Sequence, residues 1–306
     1  LDKNKIKETA LVVSPSNYLN KDYPIFPLSG ISNTETIYCN ENGYFSVYQS
    51  DRYGFSNPDE EWDKKEIEYL ILGDSFAHGA CVNRPNDIAS VLRNLSKKTV
   101  LTLGYGGNGP LTEYASLREY YNKNIKIKKI LWLYFEGNDF DDLLKELNNK
   151  FLNSYLNDLK FTQNLKFKQE EINSLAKNLI ELEIKELKSE DLNDISPENK
   201  KNVLINRSKS QNKDLKDYVS QILSFIKINN LRFLIFPPQG TPPSPEFKRI
   251  LNLAKNFAYE NKSEIYFVYL PSYARYNSRF NKDRYHYVKN VVDELNIPII
   301  DIHKKV

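Results

Sequence analysis

Three short apolar runs, IEYLILG (67–73), TVLTLG (99–104) and KKILWLYFEG (128–137), each end on glycine and lead into stretches with helical spacing. Apolar runs of this length, bounded by glycine, read as buried strands. Parallel strands need long crossover connections, and helices between successive runs supply them. PNDIASVLRNLSKK (85–98) and GPLTEYASLREYYNK (109–123) are two such helices. The rhythm returns near the end. PEFKRILNLAKNFAYENK (245–262) reads as a helix, EIYFVYLP (264–271) as a strand, KDRYHYVKNVVDELN (282–296) as a helix and IPIIDIH (297–303) as the last strand. NLRFLIFPP (230–238) fits either a helix end or a strand. The expectation is an α/β fold, a parallel sheet with helices on both faces.

The rest of the chain divides around this core. Residues 1–66 are rich in Pro, Asn, Ser and Gly and read as an irregular approach segment. Residues 67–140 and 216–306 form the α/β domain. Residues 141–215 break the rhythm with charged amphipathic helices and read as a helical insertion, either solvated or a cap over the site.

Composition narrows the function classes. With 43 basic and 40 acidic residues among 306, the net charge is +3, which gives no electrostatic case for nucleic acid. No run approaches the ~18 apolar residues of a membrane helix. The chain opens on Leu1 and contains no Met, so it reads as a piece of a longer product, with room for an anchor or signal ahead of it. Two Cys, Cys39 and Cys81, fit no zinc spacing, and no His-Glu-x-x-His is present, so neither a metal nor a cofactor is expected.

Ligand groups in open parallel sheets gather at the carboxyl ends of the strands. Three successive strand ends carry chemistry here: Gly73-Asp74-Ser75, the loop GYGGNGP (104–110), and Gly137-Asn138-Asp139. Ser75 at a strand-to-helix turn presents its hydroxyl and its N–H. The Gly-rich loop can aim an N–H inward, with Gly107 the choice, and Asn138 offers a side-chain amide. Together these make a nucleophile and an oxyanion hole for acyl transfer. Each piece has a plainer reading: a chance Gly-Asp-Ser, a phosphate-cradling loop, and Asn138 as a helix cap.

These blocks resemble the SGNH/GDSL hydrolase superfamily. GDSF matches its first block, with Phe76 where Leu is common; GYGGNG matches the second and EGND the third. The resemblance covers roughly residues 67–142, with the last two strands fitting more loosely. It implies a flavodoxin-like, three-layer α/β/α fold of about five parallel strands, Ser75 as nucleophile, and Ser75 N–H, Gly107 N–H and Asn138 Nδ2 as oxyanion donors. It also implies ester cleavage, with relatives in bacterial envelope pathways acting on acylated glycans. The expected function is therefore a serine esterase removing acyl groups, acetyl first among them, from a carbohydrate ester, with a periplasmic or cell-envelope location. An acyltransferase using the same acyl-serine, or a non-catalytic glycan-binding relative, are the alternatives.

The family takes its base from an Asp-x-x-His after the last strand. Asp283 and His286 have that spacing but lie in the helix before it. Asp301 and His303 stand at the strand end with the spacing short by one. His78, one helical turn after Ser75, is expected to point away. The reading places the family's own Asp and His beyond Val306, with His286, Asp283 and His303 as weaker candidates.

Overall fold

The computed structural model describes residues 10–40, 43–190, 244–276 and 283–305. Five parallel strands form its central sheet: β4 (Glu66–Leu72), β5 (Val100–Thr102), β6 (Lys126–Phe135), β7 (Glu264–Leu270) and β8 (Ile299–Asp301). Their spatial order is β5-β4-β6-β7-β8, which is the 2-1-3-4-5 order of a doubly wound sheet. The register is continuous, with Leu72 of β4 beside Trp132 of β6 and Trp132 beside Phe267 of β7. The expected segment 230–238 lies outside the described residues, as does the part of the insertion from 191 to 215.

Successive side chains of a strand face opposite ways, and β4 shows both faces in use. Leu70 and Leu72 enter the large core, while Ile71 enters a smaller one. The large core is closed by α3 (Pro110–Tyr120), α7 (Pro245–Glu260) and α8 (Asp283–Glu294) through Leu111, Tyr114, Ile250 and Val288. The smaller is closed by α1 (Ser75–His78) and α2 (Ile88–Ser96) through Ala77 and Ala89. Helices on both faces make the architecture a three-layer α/β/α sandwich. Local chemistry sets the helix starts. Asp87 caps α2 by accepting from Ser90 N–H at 2.9 Å, and Pro110 stands at the first position of α3.

Residues 10–63 are more ordered than an irregular segment. They hold a small sheet of β1 (Ala10–Leu11), β2 (Glu35–Ile37) and β3 (Val47–Gln49), in that order. Strands of two and three residues are too short for alternation to show in the sequence. Buried Asp51 organises the following turn, accepting from Tyr53 N, Phe55 N, Asn57 Nδ2 and Trp62 Nε1. Asn57 then pairs with both backbone groups of Thr102, and Glu61 accepts from Val100 N–H at 3.1 Å. Side chains thus cover the outer edge of β5, which would otherwise present free strand groups. A disulfide joins Cys39 to Cys81, linking the small sheet to the turn after α1.

Within residues 141–190 the structure is helical, with no strand among the described residues: α4 (Asp139–Glu146), α5 (Lys150–Asn157) and α6 (Gln169–Glu190). Leu143, Leu152, Tyr155, Ile172 and Ala176 join the large core, so this stretch packs as part of the body.

Candidate active site

Ser75 is the first residue of α1, three residues beyond the end of β4, and is half-buried. Asp74 caps the helix, taking Phe76 N–H at 2.9 Å on Oδ1. Its Oδ2 accepts from Ser75 Oγ at 3.4 Å. Burial pushes the Asp74 carboxyl up to about 6, against the pull of the Phe76 N–H and the Ser75 hydroxyl.

The Gly-rich loop follows β5, the neighbour of β4, and is held at almost every peptide. Tyr105 N–H donates to Gly73 O at 3.2 Å and Asn108 N–H to Tyr105 O at 3.2 Å. Gly106 N–H donates to His78 Nδ1 at 3.1 Å, and Gly106 O accepts from Ser14 Oγ at 2.7 Å. Gly109 and Leu111 N–H both donate to the Glu146 carboxylate, at 2.6 and 3.0 Å. Gly107 alone among these residues has φ of +82°, a left-handed conformation that favours glycine, and a Cβ there would meet Ser14 Oγ. Gly104 is needed for space: a Cβ would lie 2.4 Å from the Ala77 Cβ of α1.

Asn138 follows β6, on the other side of β4, and occupies the N-cap of α4. Its side chain makes no cap hydrogen bond. Nδ2 instead donates to Asp142 Oδ2 at 2.6 Å. An amide nitrogen carries two hydrogens, so one remains for another acceptor. The loops bearing Ser75, Gly107 and Asn138 therefore leave the same edge of three adjacent strands, and Phe76 touches Phe135 across it with ring centroids 4.5 Å apart. Behind them sit buried Glu113 and Asp139. Burial raises both carboxyls well above the ordinary range, and the charge of the other cluster carboxyls raises them further.

None of the three histidines serves Ser75. His78 is buried between Tyr38 and Tyr105, each 4.4 Å away by ring centroid. With Nδ1 accepting from Gly106, its Nε2 donates to Tyr48 OH at 2.9 Å. Burial, aided by Arg84, brings its pKa down to about 3, so it stays neutral. His303 lies in the turn after β8, with Nδ1 3.1 Å from Tyr276 OH. Asp301, which would have to orient it, accepts instead from Tyr285 OH at 2.6 Å. His286 is exposed on α8, and the side chain of Asp283 lies outside the described residues. Among the described residues no imidazole bonds Ser75 Oγ.

Sequence reasoning missed Ser14, His78 and Glu146 as holders of the Gly-rich loop. Only Glu146 left a trace. Asn138, Asp142 and Glu146 are spaced i, i+4, i+8 and so share one face of α4.

Among the described residues no helix is long and apolar enough to cross a membrane, and no cluster of His, Cys, Asp and Glu could hold a metal ion. No family model matches the chain, and no curated protein matches it. It is similar to a solved structure from Desulfitobacterium hafniense DCB-2, assigned provisionally as a lipolytic protein of the G-D-S-L family. The two are 13% identical over 78% of this chain and 77% of that one, with a TM-score of 0.35. A likeness of that degree carries no argument, and the functional reading rests on the site.

Proposed function

We propose that this protein is an SGNH-type serine esterase that removes acyl groups, acetyl first among them, from a carbohydrate ester. The observation that carries the reading is a half-exposed Ser75 at a helix start, flanked by a Gly-rich loop held around Gly107 and by an Asn138 amide that does not cap its helix. In this reading Ser75 Oγ attacks the ester carbonyl. The carbonyl oxygen gains negative charge and takes hydrogen bonds from Ser75 N–H, Gly107 N–H and Asn138 Nδ2. Collapse breaks the bond to the sugar oxygen, which leaves as a hydroxyl carrying the proton given up by Ser75 Oγ, and water then cleaves acyl-Ser75 to free acid and serine. Asp74 is the group that accepts the Ser75 hydroxyl within the described residues. The envelope location has support from the Cys39–Cys81 disulfide, since such bonds persist in oxidising compartments.

Transfer of the acyl group to a glycan hydroxyl uses the same acyl-serine and differs only in the acceptor. The test is acetate release from an O-acetylated glycan, with and without an added unacetylated glycan. Free acetate as the main product supports the esterase. Acetyl groups appearing on the added glycan move the reading to a transferase. Absence of both, together with no covalent labelling of Ser75 by a fluorophosphonate, overturns it.

A further inference from the structure

One face of α4 carries both of the groups that decide where the oxyanion donors sit. Asn138 stands at its N-cap and is tied to Asp142 one turn on. Glu146, a further turn on and buried, reaches out of α4 to the start of α3. Its carboxylate takes Gly109 N–H on one oxygen at 2.6 Å and Leu111 N–H on the other at 3.0 Å. The first N–H groups of a helix have no partner within it, and here a distant carboxylate provides one. Gly109 also lies flat on α4: a Cβ there would meet Glu146 Oε2 and Leu143 N at 2.9 Å. The Gly-rich loop is thus clamped between His78 at Gly106 and Glu146 at Gly109, with Gly107 between the clamps.

We propose that Glu146 is a positioning residue: it fixes the Gly107 N–H relative to Asn138 by locking the loop onto the helix that Asn138 begins. The inference rests on the ester-cleaving reading for its catalytic consequence, though not for the clamp itself. Glu146 would not touch substrate. It acts through the backbone it holds. Burial raises its carboxyl to about 7 against the pull of Thr112 and the two N–H groups. In the ionised form, above that pH, where the variants are compared, it accepts from both donors, which a neutral amide cannot do. A backbone donor displaced by about 1 Å can cost about 10²-fold in rate.

The test uses Glu146→Gln and Gly109→Ala. Gln keeps one acceptor and turns an NH₂ on the second N–H. Ala leaves the carboxylate and pushes the loop off α4. Both variants should lose about 10- to 100-fold in kcat on p-nitrophenyl acetate with KM within about threefold, because an oxyanion bond strengthens in the transition state. Amide hydrogen exchange over residues 106–111 should quicken in Glu146→Gln, while that of β6 should not. Unchanged exchange at 106–111 overturns the clamp. Quickened exchange with unchanged kcat overturns the positioning role. If the natural protein shows no ester turnover, the functional reading fails on its own, and the exchange still reports on the clamp. Should Glu146→Gln not fold, Gly109→Ala carries the kcat and KM comparison.

Discussion

The loops after β4, β5 and β6 leave the same edge of the sheet as those after β7 and β8, yet their polar groups are disposed differently. On the first side the holding groups, Ser14 apart, are buried and the candidate reacting groups are not. Asp74, His78 and Glu146 are buried at 1, 2 and 2% exposure, whereas Ser75, Gly107 and Asn138 stay partly open. On the second side the polar groups satisfy one another. Glu136, reaching over from the loop after β6, forms a buried ion pair with Arg275 and accepts from Ser272 N–H at 3.2 Å. The Arg275 guanidinium lies 4.9 Å over the Tyr285 ring, and Tyr285 in turn holds Asp301. A reacting group needs a free lone pair or proton and a rigid support behind it. The first side has that division of labour. The second is a brace that fixes the turn after β7, and His303 is drawn into it through Tyr276.

The comparison breaks most decisively at the nucleophile. Ser75→Ala should lower p-nitrophenyl acetate turnover by at least about 10³-fold with the fold kept. His303→Ala and His286→Ala should each stay within about threefold of the natural protein. A loss at His303 matching that at Ser75 would make the second side part of the catalytic machinery.

Asn138→Ala comes next. The amide is a candidate oxyanion donor, so kcat should fall about 10²- to 10³-fold with little change in KM. Asn138→Asp keeps the shape but removes the donor and faces Asp142 with a like charge, so it should be no better. A pure KM effect would place Asn138 in ground-state binding and loosen the pairing of the first side with acyl transfer.

The two sides also differ in how far the sequence could speak for them. Ser75, Gly107 and Asn138 each stand in a short local pattern directly after an apolar run, so a reader of sequence meets strand end and polar group together. The five strands are legible for the same reason, since buried parallel strands are continuous apolar runs. The supports are not local. Ser14 reaches Gly106 across 92 residues and Glu146 reaches Gly109 across 37, and no pattern along the chain marks such pairs. His303 shows the opposite failure. A strand expected to run to residue 303 ends at Asp301, and the imidazole enters a 3₁₀ turn whose direction alternation along a strand does not set. The short strands β1–β3 lie below the length at which period-2 patterning can be read.

The smallest expected effect is on stability and tests whether His78 is a support rather than a reacting group. His78→Phe keeps an aromatic ring between Tyr38 and Tyr105 but leaves Gly106 N–H and Tyr48 OH without their partner. A buried donor left unsatisfied costs about 1–3 kcal/mol, which urea unfolding at pH 7.5 would read as a lowered midpoint. The pH dependence has a definite sign. Burial depresses the His78 pKa from the ordinary 6.5 to about 3. Below 6.5 the unfolded chain therefore takes up a proton that the folded chain refuses. The stability His78 contributes is present above 6.5 and is lost progressively as pH falls toward 3. Phe does not titrate, so the gap between the two proteins should narrow on acidification by about 1.4 kcal/mol per pH unit below 6.5. Unfolding curves at pH 7.5 and pH 5 check it. A gap that stays constant would mean that His78 takes its proton in the folded state, and the buried clamp on Gly106 would no longer distinguish the first side from the second.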